Sequence, residues 1–257
     1  MSYNYYNVPA KSISYGGSRT PDKIKYIVIH YTANKTDTAK ANANYFSPKG
    51  SNTRQAGAHY FVDKTSVYQT VDDLKIAYAV GGTRYTNYKE TGGARLYGVV
   101  NNTNSISIEM CSDNGMIAEA TVSNVVELTK KLMDKYKIPL ANVIRHFDVN
   151  GKPCPGWEGW TGKNSVLWTA FKTRLEKKQV TTPTVNPATP AGSGEFKIRV
   201  KIDNLNIRKG PGVNYPVVSV IAPNVYTIVE TKKNGSTEWG RLKSGIGWIS
   251  LGYVQRL

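Results

Sequence analysis

The sequence predicts an α/β protein with a central mixed β-sheet flanked by helices, followed by a small all-β barrel. Three observations carry that prediction. A near-continuous apolar run at residues 24–31 marks a central strand covered on both faces, and a further strand is read at 143–146. Apolar stripes of helical period lie between and after them. Beyond residue 196 only short strands and close turns remain, with no helical pattern.

Taken in order, residues 1–23 are polar and turn-rich (Ser12, Ser14, Gly16, Gly17, Pro21), as expected of a segment that wraps a domain surface. The strand at 24–31 follows. Ala39, Ala43 and Phe46 then fall at helical spacing, and Pro48 stops that helix. Residues 56–63 and 67–71, joined through Lys64-Thr65, read as an antiparallel hairpin. Residues 81–104, rich in Gly, Asn, Tyr and Thr, form a long irregular segment of the kind that usually serves function. Ser105–Cys111 alternates, with Ile106, Ile108 and Met110 on one face and Glu109 on the other. Val122, Val125, Val126, Leu132, Met133 and Tyr136 trace a helix over about 119–137, ended by Pro139. A strand at 143–146, a Gly/Pro turn and an amphipathic helix through Leu167, Phe171 and Leu175 complete a first domain, residues 1–178.

Residues 179–195 change character. A Pro/Thr run gives way to Gly192-Ser193-Gly194-Glu195, the composition of a linker and equally of an engineered joint. Residues 196–257 form the second domain, with strands expected at 197–202, 205–208, 217–221, 226–231, 238–242 and 247–250.

The chain has 257 residues and a formal net charge of +16. Residues 1–178 carry 24 basic and 14 acidic side chains and residues 195–257 carry 10 and 4, so both domains are cationic. Such a field steers a protein toward a polyanion: nucleic acid, anionic lipid or an acidic wall polymer. No run is long and apolar enough to span a membrane, so membrane insertion is not expected. The N-terminus lacks the charged-then-apolar pattern of a signal peptide, which implies synthesis in the cytoplasm and another route to any substrate outside. Two cysteines, Cys111 and Cys154, cannot build a disulfide framework, and Cys111 reads as a buried strand residue.

The chemistry concentrates in Ile144-Arg145-His146-Phe147-Asp148 and Lys152-Pro153-Cys154-Pro155. His30 ends the first apolar strand, His146 ends another, and Cys154 is held between prolines. Two imidazoles and one thiolate suit Zn²⁺ with a fourth position open to water, the arrangement of a catalytic rather than a structural site. Glu109 projects from a central strand away from its apolar face, which is costly unless it borders a polar cavity. It is a candidate general base, or else a carboxylate bound to a loop. Lys152 can offset the charge of a developing oxyanion, or lie in solvent. His59, mid-strand, either lines the site or packs in the core.

These residues, with Ala58-His59-Tyr60-Phe61-Val62 and Ser107-Ile108-Glu109-Met110-Cys111, resemble the type 2 zinc N-acetylmuramoyl-L-alanine amidases of phage endolysins and bacterial autolysins, relatives of peptidoglycan recognition proteins. The resemblance covers about residues 10–176. It implies zinc on His30, His146 and Cys154, Glu109 and Lys152 as catalytic groups, and cleavage of the amide between N-acetylmuramic acid and L-alanine. His59 and Tyr31 are the expected substrate contacts. Two departures stand out: Ala58 where some relatives carry Tyr, and Ala77-Tyr78-Ala79-Val80-Gly81 where many read Ala-Trp-His-x-Gly. The second domain, through Leu205-Asn206-Ile207-Arg208-Lys209-Gly210-Pro211-Gly212, is similar to bacterial SH3-like (SH3b) wall-binding domains.

The resulting expectation is a monomeric lysin that acts on Gram-positive walls, with peptidoglycan and its attached polymers as partners. The alternative is a recognition protein that binds peptidoglycan without cutting it; relatives of that kind typically lack the Cys ligand. A nucleic-acid binder has the charge in its favour but no recognition helix or Lys/Arg–aromatic motif.

Overall fold

The computed structural model describes residues 3–163, 165–176, 195–202, 205–215, 217–221, 223–235 and 237–257. The chain divides into two units, Met1–Ser165 and Val166–Leu257. The linker expected at 179–195 lies outside the described residues except for Glu195.

The first unit is built on a six-stranded mixed sheet in the order β1-β5-β4-β7-β3-β8. Its strands are β1 (Asn4–Asn7), β3 (Tyr26–Tyr31), β4 (Tyr60–Val62), β5 (Ser66–Gln69), β7 (Ser105–Met110) and β8 (Val143–Arg145). A separate two-stranded ribbon pairs β2 (Tyr15–Ser18) with β6 (Lys75–Ala77). Strands β4, β7, β3 and β8 run parallel to one another, and the predicted hairpin returns as the antiparallel pair β4–β5. Ile27, Val28 and Ile29 of β3 are fully buried, as are Ile106 and Ile108 of β7. That explains why β3 reads as continuous rather than alternating apolar sequence: a parallel strand with both neighbours in place has no wet face.

Helix α1 (Ala39–Phe46) covers one face. Its Ala39, Ala43 and Phe46 pack with Ala58, Phe61, Tyr68 and Cys111. The Thr38 hydroxyl caps it by accepting from the Ala41 amide, and Asp63 accepts from the Ala39 amide, so two orphan donors of the first turn are met. Helix α3 (Glu119–Tyr136) buries Val122, Val125, Val126, Leu128 and Leu132 along one stripe, and turns out through Lys137 in the left-handed conformation. Each aliphatic side chain so buried contributes about 1.5–3 kcal/mol relative to exposure.

Two segments depart from expectation. Residues 1–23 are not merely a surface wrap: β1 joins the sheet edge parallel to β5, and β2 forms the ribbon. All four residues of β1 are exposed, so no alternation marked it as a strand. The long segment 81–104 contains the short helix α2 (Tyr88–Thr91) and a 3₁₀ turn at Asn102–Asn104.

The second unit contains helix α5 (Val166–Glu176), which the sequence had placed at the end of the first domain, and a seven-stranded antiparallel sheet. The strands are β9 (Phe196–Val200), β10 (Leu205–Arg208), β11 (Val217–Ile221), β12 (Val225–Asn234), β13 (Thr237–Leu242), β14 (Trp248–Ser250) and β15 (Val254–Arg256), the last unforeseen. Ile198, Val200, Leu205, Ile207, Ile228, Leu242 and Ile249 form its core. Among the described residues no helix is long and apolar enough to cross a membrane.

Candidate active site

In a parallel sheet, side chains at matched register on neighbouring strands share a face. His30 on β3 pairs with Glu109 on β7, both at the carboxyl ends of their strands. The imidazole Nδ1 lies 3.9 Å from the Glu109 carboxylate. Strand β8 pairs with the other edge of β3, and the chain leaves it directly into the short helix α4 (His146–Asn150). His146 therefore stands on the first residue of a helix rather than on a strand end, with its ring 4.7 Å from that of His30.

Cys154 reaches the same place through a closed loop. Gly151 ends α4 at φ +86°, a conformation that favours glycine, and the Phe147 amide donates to the Cys154 carbonyl at 3.0 Å. Its Sγ lies 3.8 Å from His30 Nδ1. One ligand atom from each of His30, His146 and Cys154 falls within 4.8 Å of the others, and all three residues are buried.

This donor set fits a metal ion. Among the described residues, His30 Nε2, both nitrogens of His146 and Glu109 Oε2 are buried and make no well-formed hydrogen bond. Buried polar atoms left in that state cost free energy, and a cluster of them points to a missing partner. Burial, then the charges of His146, Lys152 and His59, push the His30 imidazole well below its ordinary range. Burial and Lys152 bring His146 down to about 4, with the nearby Gly81 carbonyl pulling slightly the other way. Both rings are thus neutral, the form that ligates a metal. Burial and then Glu109 push the Cys154 thiol up, so a cation must supply the drive to form the thiolate.

Glu109 is mostly enclosed, its side chain 19% exposed. Burial raises its carboxyl to about 8, against Lys152, whose charge lowers it, while Asp37 adds to the rise. Lys152 is solvent-exposed, and its charge reaches His30, Glu109, His146 and Cys154 alike. Tyr31, next in sequence to His30, is half-buried and packs edge-to-face with Trp157 at 5.0 Å.

His59 is not available to a substrate. It is 1% exposed, and its ring is engaged inside the fold. The Ser107 amide donates to Nδ1 at 3.0 Å, which places the ring proton on Nε2, 3.2 Å from the Lys75 carbonyl. Burial and the adjacent Arg19 guanidinium hold this imidazole near 4, hence neutral. The sequence offered no sign of this, because Arg19 lies 40 residues away.

Sequence reasoning also missed a supporting clamp. Asp148 accepts from the Arg145 amide and Nε at 2.9 and 3.0 Å and from Arg145 Nη2 at 2.8 Å, fixing the turn that launches His146. Arg145 Nη1 donates further to the Trp160 carbonyl and Ser165 Oγ. The Asp three residues past the cap position was the available signal. Asn150 does similar work: its amide donates to the Gly81 carbonyl, and its oxygen accepts from the Lys152 amide.

The family description "N-acetylmuramoyl-L-alanine amidase" (Amidase_2) matches residues 20–157, a span that includes every residue of this centre. The chain belongs to that amidase family. Among named relatives, the amidase CwlL of Bacillus licheniformis is 31% identical over 158 residues, covering 60% of this chain and 41% of that protein. The amidase BlyA of Bacillus subtilis (strain 168) is 28% identical over 244 residues, covering 87% of this chain and 64% of that protein. The chain thus spans between two fifths and two thirds of the length of these curated relatives. A mutant endolysin from Bacillus subtilis superposes with a TM-score of 0.51 at 26% identity, covering 67% of this chain and 99% of that one. The catalytic domain of XlyA gives 0.50 at 28%, with the same coverage. These likenesses bear out the α/β amidase architecture that the sequence predicted.

Proposed function

We propose that this chain is a zinc-dependent N-acetylmuramoyl-L-alanine amidase, a peptidoglycan hydrolase that cuts the amide between N-acetylmuramic acid and L-alanine. The convergence of His30, His146 and Cys154 beside Glu109, all at one end of the sheet, carries this reading. Zinc held by those three residues would polarise the scissile carbonyl and acidify water. Glu109, whose raised carboxyl a dication held beside it would ionise, is the proton acceptor for the attacking water and returns the proton to the departing L-alanine amine. Lys152, free in solvent at the rim, offsets the negative charge that grows on the carbonyl oxygen. The Arg145–Asp148 clamp and the Phe147–Cys154 hydrogen bond hold the donors in place before substrate arrives.

We further assign the all-β unit, residues 196–257, as an SH3b-like wall-binding domain, with residues 1–178 as the catalytic domain and 179–195 as the linker. The net charge of +16 suits walls rich in acidic polymers. In this reading the protein is a monomeric lysin of the phage endolysin kind, made in the host cytoplasm and released to act on the wall. A binding-only recognition role is disfavoured by the presence of Cys154 in the cluster.

The test is mass spectrometry of digested peptidoglycan together with metal analysis. The expected outcome is new L-alanine amines, about one zinc per chain, and loss of both in Cys154→Ser. Lysis by zinc-free Cys154→Ser at the parent rate would sink the assignment.

A further inference from the structure

A loop fastened to α4 and to the turn that leads into Lys152 carries tyrosines with different occupations. In the segment between Gly81 and Val99, Arg84 lies over the ring of Tyr88 at 4.3 Å and over that of Tyr97 at 5.3 Å. Those two rings and that cation are committed to one another. Tyr85 is different. Its side chain is 42% exposed, and among the described residues it makes no hydrogen bond, ring stack or cation–π contact.

Its backbone, in contrast, is pinned. The Tyr85 amide donates to the Asn150 carbonyl at 2.8 Å. A Cβ built on Gly151 would stand 3.3 Å from the Tyr85 Cβ, so the loop sits down on the glycine that precedes Lys152. Farther along, the Ala94 and Leu96 amides donate to the carbonyls of Phe147 and Asp148, fastening the same loop to α4. An uncommitted tyrosine ring on a fixed backbone therefore stands beside the Asn150-Gly151 turn that leads into Lys152 and Cys154.

We infer that Tyr85 is a saccharide platform, its ring face stacking on the pyranose that bears the scissile amide. The inference rests on the amidase reading above. In that substrate the amide joins L-alanine to a lactyl group on the sugar, so the pyranose must lie only a few bonds from the carbonyl under attack. A pyranose presents an apolar C–H face ringed by hydroxyls. A neutral aromatic ring with a polar tip, with few torsions to freeze, complements it. The stem peptide, extended and charged, gains less from such a surface.

The test compares two substrates that share one amide: an N-acetylglucosaminyl-N-acetylmuramoyl-L-alanyl-D-isoglutamine, and N-lactoyl-L-alanyl-D-isoglutamine, which lacks the sugars. The wild type is expected to prefer the first. Tyr85→Ala should cut that preference by about tenfold, through KM more than kcat, whereas Tyr85→Phe and Tyr85→Trp should retain it. A preference unchanged in Tyr85→Ala, or lost equally in Tyr85→Phe, would overturn the platform. Calorimetric binding of both compounds to Glu109→Gln keeps the two readings apart. Sugar-dependent binding that Tyr85→Ala weakens supports the platform even if neither amide is cut, and absence of cutting by the wild type counts against the amidase reading alone. Equal binding of the two compounds overturns the platform whatever the turnover.

Discussion

Two imidazoles, His59 and His146, are both buried against one sheet and both neutral, yet one lies just before β4 and the other just after β8. At the amino ends of β4 and β7, the His59 ring has partners for both nitrogens, and Arg19 donates to the carbonyls of Asp73, Asn102, Thr103 and Ser105. At the carboxyl ends, His146 and Glu109 hold buried atoms with no well-formed hydrogen bond among the described residues. Burial alone thus does not tell a working histidine from a structural one. Hydrogen-bond accounting does, because a fold ordinarily leaves few such groups unmet.

The contrast is sharpest if each end is damaged in turn. Glu109→Gln should lower kcat by about 10²–10⁴-fold, the usual weight of a general base. Because it removes a carboxylate with an unmet oxygen, the melting temperature should hold or rise. A large loss of stability with activity intact would reverse the assignment of the two ends.

Asp148→Asn strikes the clamp behind His146. Burial pushes the Asp148 carboxyl up, but the hydrogen bonds and charge of Arg145, helped by Arg95, hold it below its ordinary 3.8. A carboxyl depressed in the folded state stabilises above its unfolded value and loses that contribution as pH falls through the folded one. Denaturant titrations of the wild type should therefore show stability falling below about pH 4, and the variant should show a flatter acid limb. At neutral pH the variant should be less stable by about 3 kcal/mol, since a buried pair loses its anion. Equal acid sensitivity in both proteins would remove Asp148 from the account.

His59→Asn should give the smallest change, about 1–2 kcal/mol of stability, with KM for a muropeptide unaltered within twofold. A rise in KM without destabilisation would restore His59 to the substrate.

Much of this was legible beforehand, for identifiable reasons. The strand 24–31 announced itself because a buried parallel strand must be apolar on both faces, and it delivered His30 to the sheet end. Glu109 stood out as a charge on the polar face of a central strand, costly there unless a polar cavity receives it. Cys154 was conspicuous between prolines. What stayed hidden depended on distance in sequence. β1 is exposed at all four positions and owes its place to pairing with β5, some 60 residues on. The partners of His59 come from three separate segments. Tyr85 could be seen as one tyrosine among many, but not as the one whose ring the loop leaves uncommitted.

The hydrogen bond from the Phe147 amide to the Cys154 carbonyl closes a ring of eight residues that carries His146 at its threshold and the thiol at its far end. Two of the three donors thus travel as one prefabricated jaw, and His30 on β3 is the other. The jaw hangs from β8, a three-residue strand at the sheet's border. Any fraying there would swing both donors away in concert, so metal release should follow the opening of that border in a single step and not the loss of one ligand after another.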